Sequence, residues 1–199
     1  MKPDRKELKR RELRPVLAEA FTELGFRRAT TAKLAKRCGT QEAILYRLWS
    51  GKKAMIVDVL DYVGDRLIDI WEEHLSADNS GPADPQNLEN LLAYESKHFG
   101  EFGRYSIIFS CLSETDDPEI REALQRMYHR IHTFLVEQIA RYRTAIGGSN
   151  NETAPATLSA WAFIGLGTMM TIIRHLGLTS DKEREALLQD IGKSLLYDK

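Results

Sequence analysis

Apolar residues along the chain recur mainly at steps of three and four, which is the spacing of one face of an α-helix. One such stripe runs from Arg14 to Leu24, and a longer one runs from Lys52 to His74. No stretch alternates apolar and polar residues in the manner of a half-buried β-strand. The pattern therefore predicts an all-α protein of about nine helical segments. The predicted segments are 14–24, 31–37, 41–48, 52–74, 86–100, 104–113, 118–143, 153–175 and 181–196.

Residues with strong turn or capping preferences mark the ends of these segments. Pro15 suits only the first turn of a helix, so residues 1–14 are predicted to form a basic arm outside it. Gly25 is expected to end the first helix and to let Phe26 fold back on Phe21. The predicted N-caps are Thr30, Thr40, Asp84, Asp117 and Ser180, the last forming a capping box with Glu183.

Composition indicates an ordinary globular protein. Of 199 residues, 43% are hydrophobic and 29% are charged, and only Cys38 and Cys111 are cysteines. A disulfide framework is not expected. The N-terminal residues show no apolar segment typical of a secretory signal, so a cytoplasmic location is predicted. The most apolar run, residues 160–173, is shorter than a membrane span requires and is interpreted as a buried helix.

Charge is divided unevenly along the chain. Residues 1–53 contain 15 Lys and Arg against 6 Asp and Glu, a net charge of +9, and residues 54–199 carry a net charge of −10. A basic N-terminal part joined to an acidic part favours a polyanion as partner of the first part alone. The alternative is a charged helical surface without such a partner.

The two shortest predicted helices form a helix-turn-helix pattern. The turn between them is Cys38-Gly39-Thr40, and Gly39 suits a position of positive φ. The second helix has one apolar side, formed by Ile44, Leu45 and Leu48, and a polar N-terminal end. Such a helix can pack on its supports and still enter the major groove of DNA.

Residues 30–60, together with residues 18–26, resemble the DNA-binding region of the TetR family. The matching positions are Phe21, Gly25, Thr30, Thr31, Leu34, Ala35, Gly39, Leu45, Tyr46, Trp49 and Lys52. The resemblance implies a three-helix DNA-binding domain in residues 1–53 and a larger helical domain for ligand binding and dimerisation in residues 54–199. It implies a dimeric regulator, usually a repressor, that binds a near-palindromic operator and responds to a small-molecule effector.

The resemblance also implies which residues contact DNA. They are Thr30, Thr31, Lys33, Thr40, Gln41, Glu42, Ala43, Tyr46, Arg47 and Lys52. Thr30, Thr40, Tyr46 and Lys52 would bind phosphate. Gln41, Glu42 and Ala43 would lie near base edges, where they could contact adenine, cytosine and a thymine methyl group respectively. Alternatively, Tyr46 packs on the first helix and Glu42 faces solvent.

Three positions depart from the family pattern, and the role of the basic arm stays open. Ala32 stands where some members have a base-contacting arginine, Pro15 is unusual in the first helix, and Trp49 replaces the commoner phenylalanine. The arm is either a solvated tail or a segment that reaches a DNA groove. These departures leave the operator sequence undetermined.

Aromatic residues and methionines in the second part suit an apolar ligand pocket, although a filled core explains the same pattern. The candidate lining residues are Trp71, Phe99, Phe102, Tyr105, Phe109, Met127, Ile131, Phe134, Trp161 and Met169. His129 and His132, with Glu122, have the spacing of metal ligands, but exposed histidine pairs are common and no metal site is predicted.

Helix 153–175 is apolar on so many sides that it is either central or covered by a second chain. With helix 181–196 it could form a four-helix bundle across a two-fold axis, which predicts a homodimer. Three functions are compared: a ligand-responsive regulator, a DNA-binding dimer without ligand control, and an enzyme. No catalytic motif or cofactor loop is visible, so no enzyme activity and no cofactor are predicted.

Overall fold

The computed structural model describes residues 4–75, 85–98, 104–147 and 155–196. Within these ranges the regular structure is α-helical, which confirms the all-α prediction and the nine segments. The helices are α1 (Arg5–Arg28), α2 (Thr31–Arg37), α3 (Glu42–Leu48), α4 (Lys52–Leu75), α5 (Pro85–His98), α6 (Arg104–Leu112), α7 (Pro118–Ala145), α8 (Ala156–Leu176) and α9 (Asp181–Leu196).

The first helix is longer than predicted, because it continues through Pro15 instead of beginning beside it. The prediction that residues 1–14 form an arm outside the helix was therefore wrong for residues 5–14. Proline removes one backbone hydrogen bond from a helix interior. Tertiary contacts offset this loss, since Leu13 is buried and the Arg14 guanidinium pairs with Asp58 at 2.8 Å.

A kink near the end of α1 lies at Gly25, where the sequence predicted the helix to end, although α1 continues to Arg28. This glycine has φ 69° and ψ 155°, a conformation that residues with a Cβ rarely adopt. Beyond it, the ring of Phe26 stacks on the ring of Phe21, with centroids 6.3 Å apart. The kink thus returns the chain to the apolar face of α1 before α2 begins.

Of the five predicted caps, three are confirmed, one is wrong, and Asp84 lies outside the described residues. Thr30 Oγ1 accepts a hydrogen bond from the Lys33 amide at the start of α2, and Asp117 Oδ1 accepts from the Glu119 amide at the start of α7. Ser180 and Glu183 form the predicted reciprocal capping box. Thr40 does not cap α3, because the helix starts one residue later and places Gln41 at the N-cap, without a side-chain hydrogen bond.

The chain forms two compact units, and each unit contains two separate stretches of the sequence. The first contains Met1–Asp65 and Gly103–Met127, and the second contains Arg66–Phe102 and Tyr128–Lys199. In the first unit α6 packs on α1, and in the second α9 packs on α5 and α8. The division into residues 1–53 and 54–199 rests on charge and motif and stays a prediction about function.

The first unit has an apolar core beneath the two short helices. Its largest fully buried side chains come from six helices: α1, α2, α3, α4, α6 and α7. They are Leu17, Phe21, Leu34, Leu45, Met55, Ile56, Leu60, Ile107, Ile120 and Met127. This core holds the helix-turn-helix in place, since helices of seven residues are not stable on their own.

In the second unit, one charged residue is buried where three helices meet. The Arg143 guanidinium of α7 donates to Ser159 Oγ of α8 at 2.8 Å and to the Leu195 carbonyl of α9 at 3.2 Å. Gly192 of α9 lies close to Leu92 of α5, since an added Cβ would be 2.9 Å from its Cδ2. These contacts fix α9 against its neighbours.

Helix α8 is buried on one side and exposed on the other. Ser159, Ala160 and Met170 are buried, while Leu158, Trp161, Met169 and Leu176 are at least 46% exposed. Within the described residues α8 is the one helix long and apolar enough to cross a membrane, which is weak evidence for a span. Of the two alternatives for this helix, the single chain does not fit a central position, because one apolar face of α8 stays uncovered.

Candidate nucleic-acid interface

Helices α2 and α3 form the predicted helix-turn-helix. The turn between them contains Gly39 at φ 58°, as its position in the sequence predicted. Leu34 of α2 and Leu45 and Leu48 of α3 are at most 3% exposed and face the core of the first unit. The opposite side of each helix is therefore available to a partner.

The outward side of α3 carries the residues predicted to contact base edges and phosphate. Gln41, Glu42, Ala43, Tyr46 and Arg47 are all exposed. Tyr46 is an aromatic residue with 53% of its surface accessible, so packing on the first helix does not bury it. A short helix with a polar exposed face and an apolar buried face has the form needed to enter the major groove of DNA.

Two hydrogen bonds order the side chains that border this face. The hydroxyl groups of Thr31 and Tyr46 lie 3.1 Å apart and join α2 to α3. The Lys33 ammonium group donates to the carbonyl of Arg28 at 3.2 Å. Thr30 remains exposed while capping α2. These residues combine donors and positive charge, the chemistry that binds phosphate.

Lys52 lies at the start of α4, and its charge is already engaged within the protein. The ammonium group donates to the Phe26 carbonyl at 2.9 Å and lies 4.3 Å from the centre of the Phe26 ring. It therefore stabilises the chain after the kink in α1. The predicted phosphate contact of Lys52 would have to be made from this position.

Three residues around the end of α3 were not identified from the sequence. Arg10 Nε donates to the carbonyl of Leu48 at 2.9 Å, and its guanidinium carbon lies 5.7 Å from the centre of the Trp49 ring. Arg14 and Asp58 form an ion pair beside it. Burial opposes the charge of Arg14, but hydrogen bonds and charge from Asp58 and Glu7 outweigh it and raise the pKa of the guanidinium. No local sequence signal marks these contacts, which join positions 38 to 44 residues apart.

The predicted ligand-lining residues have different placements. In the second unit the rings of Trp71 and Phe134 stack at 5.9 Å, and Ile131 is buried. The Trp71 indole donates to a carboxylate oxygen of Glu95 at 2.9 Å, a polar partner that the sequence did not indicate. The His74 and Tyr94 rings make another contact of this unit, with centroids 4.0 Å apart.

The other predicted lining residues do not join this group. Met127 is fully buried and Phe109 is half-buried, and both belong to the first unit. Trp161 and Met169 lie on the exposed face of α8. Phe99, Phe102 and the side chain of Tyr105 lie outside the described residues.

The histidine pair considered as a metal site has other contacts. His132 Nε2 lies 3.1 Å from the carbonyl oxygen of Thr157, and its ring stacks on Trp161 with centroids 4.5 Å apart. In the part of the chain that the structure describes, no three His, Cys, Asp or Glu side chains are grouped in a way that could hold a metal ion.

Comparison with known proteins supports the interpretation of the N-terminal region. Residues 16–59 match the family model of bacterial regulatory proteins, tetR family. The nucleoid occlusion factor SlmA of Vibrio cholerae is 28% identical over 143 residues, which cover 68% of each chain.

Solved structures with the same fold cover almost the whole chain. One is described as a TetR-family transcriptional regulator of Mesorhizobium loti, with 16% identity, 98% coverage of each chain and a TM-score of 0.77. Another is the transcriptional regulator FadR of Bacillus subtilis in complex with stearoyl-CoA, with 14% identity, a TM-score of 0.67 and coverage of 94% of this chain and 95% of that one. At these identities the similarity establishes the fold and nothing finer.

Proposed function

This chain belongs to the tetR family of bacterial regulatory proteins through residues 16–59, and we propose that it represses transcription by binding a near-palindromic operator as a homodimer. A small, largely apolar ligand then releases it from the DNA. The function is carried out in the cytoplasm and requires no catalytic residue. DNA contact is assigned to Thr30, Thr31, Lys33, Thr40, Gln41, Glu42, Ala43, Tyr46, Arg47 and Lys52.

The observation that carries the proposal is the two-sided character of α3. Leu45 and Leu48 are buried in the core, whereas Gln41, Tyr46 and Arg47 are exposed on the opposite side. Glutamine can form two hydrogen bonds with adenine, and tyrosine and arginine can bind phosphate. The net charge of +9 on residues 1–53 attracts DNA to this part of the chain.

The exposed apolar faces of α8 and α9 support a homodimer. Leu158, Trp161 and Met169 of α8 and Ile191 of α9 are large apolar residues in contact with solvent in the single chain. Large exposed apolar patches are typical of protein interfaces. We assign this surface to a second copy of the chain, because a two-fold dimer would present two copies of α3 to a near-palindromic site.

Ligand control is assigned to the second unit, around the stacked rings of Trp71 and Phe134. These rings supply an apolar surface, the buried Ile131 belongs to the same unit, and the Glu95 carboxylate supplies a polar group beside Trp71. The Bacillus subtilis relative in fold was solved with stearoyl-CoA. This precedent supports an acyl chain as the class of ligand to test first.

A DNA-binding dimer without ligand control is the second candidate. The similarity to a protein named nucleoid occlusion factor favours it, since that name refers to the nucleoid and not to an effector. Isothermal titration with stearoyl-CoA and with free fatty acids of several lengths separates the two candidates. Saturable binding that weakens in Trp71→Ala supports ligand control by acyl chains, and absence of binding to the whole series supports the second candidate.

Selection of duplexes from random-sequence DNA tests the proposal as a whole. Purified protein should enrich one motif with two inverted half-sites, and the enriched duplex should bind a protein dimer. Enrichment of no motif would contradict operator binding. Enrichment of a single half-site would contradict the dimeric arrangement only.

A further inference from the structure

The recognition helix α3 ends beside a hydrogen bond that involves a buried tryptophan. Trp49 directly follows Leu48, the last residue of α3, and only 2% of its surface is exposed. Its indole Nε1 donates to Oδ2 of Asp58, on α4, at 2.7 Å. This short distance is typical of a hydrogen bond to a charged acceptor.

Asp58 also binds the first helix. Its Oδ1 atom accepts from Arg14 Nε at 3.0 Å and lies 2.8 Å from Arg14 Nη2. The two carboxylate oxygens therefore have different partners, one on α1 and one just after α3. Through Asp58, three segments of the first unit are joined at one point.

A second contact supports the same end of α3. Arg10 of α1 donates to the carbonyl of Leu48 and lies over the Trp49 ring. The last carbonyl groups of a helix have no partner within it, so a donor placed there stabilises that end. The C-terminal end of α3 is thus held by Trp49 and by Arg10, while its exposed side remains free for DNA.

We propose that Asp58 is a positioning residue for DNA recognition, which fixes the direction of α3 by holding the Trp49 indole. The inference rests on the proposed function, because it concerns how α3 meets base edges. Helix α3 has only seven residues, so its direction depends on its contacts with neighbours. A small rotation at Trp49 would displace Gln41 at the other end of the helix, and hydrogen bonds to bases are lost when their geometry changes. Contacts with phosphate tolerate such a shift better, because attraction between charges depends less on direction.

The test compares binding to two duplexes: one selected from random DNA by the wild-type protein, and a scrambled duplex of the same composition. Trp49→Phe keeps an apolar ring but removes the donor, and Asp58→Asn removes the charge with little change of shape. Each variant should bind the selected duplex about tenfold more weakly, with less than about a twofold change for the scrambled duplex at low salt. The double variant should lose little more than the weaker single variant, since both act on the same hydrogen bond: Trp49→Phe removes its donor, and Asp58→Asn removes the charge of its acceptor.

Asp69→Asn is the matched control, because it makes the same chemical change at an exposed position of α4 and should leave the ratio of the two affinities unchanged. Lower melting temperatures of Trp49→Phe and Asp58→Asn with an unchanged ratio would show a structural role only and overturn the inference. A wild type that selects no motif would overturn the proposed function and this inference with it.

A measurement on the wild-type protein covers the case in which these variants do not fold. Hydrogen exchange of the Trp49 indole N–H, followed with nitrogen-15-labelled tryptophan, should be slow and should slow further on adding the selected duplex. Rapid exchange, or equal exchange with the selected and scrambled duplexes, would contradict the positioning role.

Discussion

The phenol oxygen of Tyr46 lies 3.1 Å from the side-chain oxygen of Thr31, so a hydrogen bond joins α3 to α2 on the exposed side of the helix-turn-helix. A pair of hydroxyl groups has two hydrogens, and this bond uses only one of them. The other remains available as a donor. The pair is therefore suited to bind a phosphate oxygen while keeping the two helices in register.

Tyr46→Phe should weaken binding to the selected duplex by about three- to tenfold, because it removes one neutral hydrogen-bond donor. The slope of log affinity against log salt should stay the same, since the hydroxyl carries no charge. Arg47→Gln should instead reduce that slope by about 0.9 if one phosphate contact is lost. Fluorescence anisotropy between about 50 and 200 mM salt measures both effects. Equal slopes in wild type and Arg47→Gln would rule out a phosphate contact of Arg47.

Gln41→Ala should relax the preference for one base pair in each half-site and leave the other positions unchanged. A side chain that forms two hydrogen bonds with a base contributes about 1–3 kcal/mol of discrimination. Repeating the selection from random DNA with the variant protein reveals which position loses its preference. A uniform loss of affinity, with the base preference intact at every position, would show that Gln41 contacts only the sugar-phosphate backbone of the DNA.

Trp161→Glu should separate the dimer, because it places a charge in the exposed apolar face of α8. Sedimentation equilibrium at low micromolar concentration should then give the mass of a single chain. Affinity for the two-half-site duplex should fall while affinity for a single half-site is kept. Glu122→Lys, a charge change at an exposed position of α7, is the control that should remain dimeric. A dimeric Trp161→Glu would mean that the interface lies elsewhere.

The two cysteines should differ in reactivity. Burial raises the pKa of the Cys111 thiol to about 11. Burial also raises the pKa of Cys38, which is partly exposed, while the charge of Lys9 opposes this shift. The thiolate is the reactive form, so a disulfide reagent at pH 8 should label Cys38 in the folded protein and Cys111 only after unfolding. Rapid labelling of Cys111 in the folded state would contradict its burial.

The same pKa predicts how Cys111 changes stability with pH. The unfolded chain loses the thiol proton at a lower pH than the folded protein. The stability that the protonated Cys111 thiol contributes is therefore complete below about pH 9 and is lost as the pH rises toward 11. Urea unfolding at both ends of this window should show the wild type losing more stability than Cys111→Ala, by on the order of 2 kcal/mol. Equal losses of stability in the wild type and in Cys111→Ala would show that other groups account for the pH dependence.

Local patterns in the sequence predicted the helices and most of their ends. The limits of α2 and the caps at Thr30 and Ser180 depend on residues within one turn, so spacing alone was sufficient. Pro15 was misplaced because its cost is offset by the Arg14–Asp58 ion pair, which joins residues far apart in sequence. Helix α3 begins at Glu42 and not at Gln41, a difference of one residue that propensities do not resolve.

The candidate sites were predictable to different degrees. The exposed face of α3 follows from helical spacing, and its members are where the pattern predicts. Lys52 binds the Phe26 carbonyl and Trp49 binds Asp58 only in the folded chain. No local sequence pattern predicts either contact. Trp161 and Met169 were interpreted as pocket residues because pockets and interfaces are apolar alike, and only their exposure on α8 favours an interface.

Titration of the selected duplex tests the central claim, that α3 recognises DNA, most directly. Wild-type protein is compared with a Gln41→Ala, Tyr46→Phe and Arg47→Ala triple variant, and with Lys182→Ala as a charge-matched control at an exposed position of α9. Selective binding by the wild type and the control, with loss of at least about a hundredfold in the triple variant, is the predicted result. Equal selectivity of the triple variant and the wild type would contradict recognition by α3.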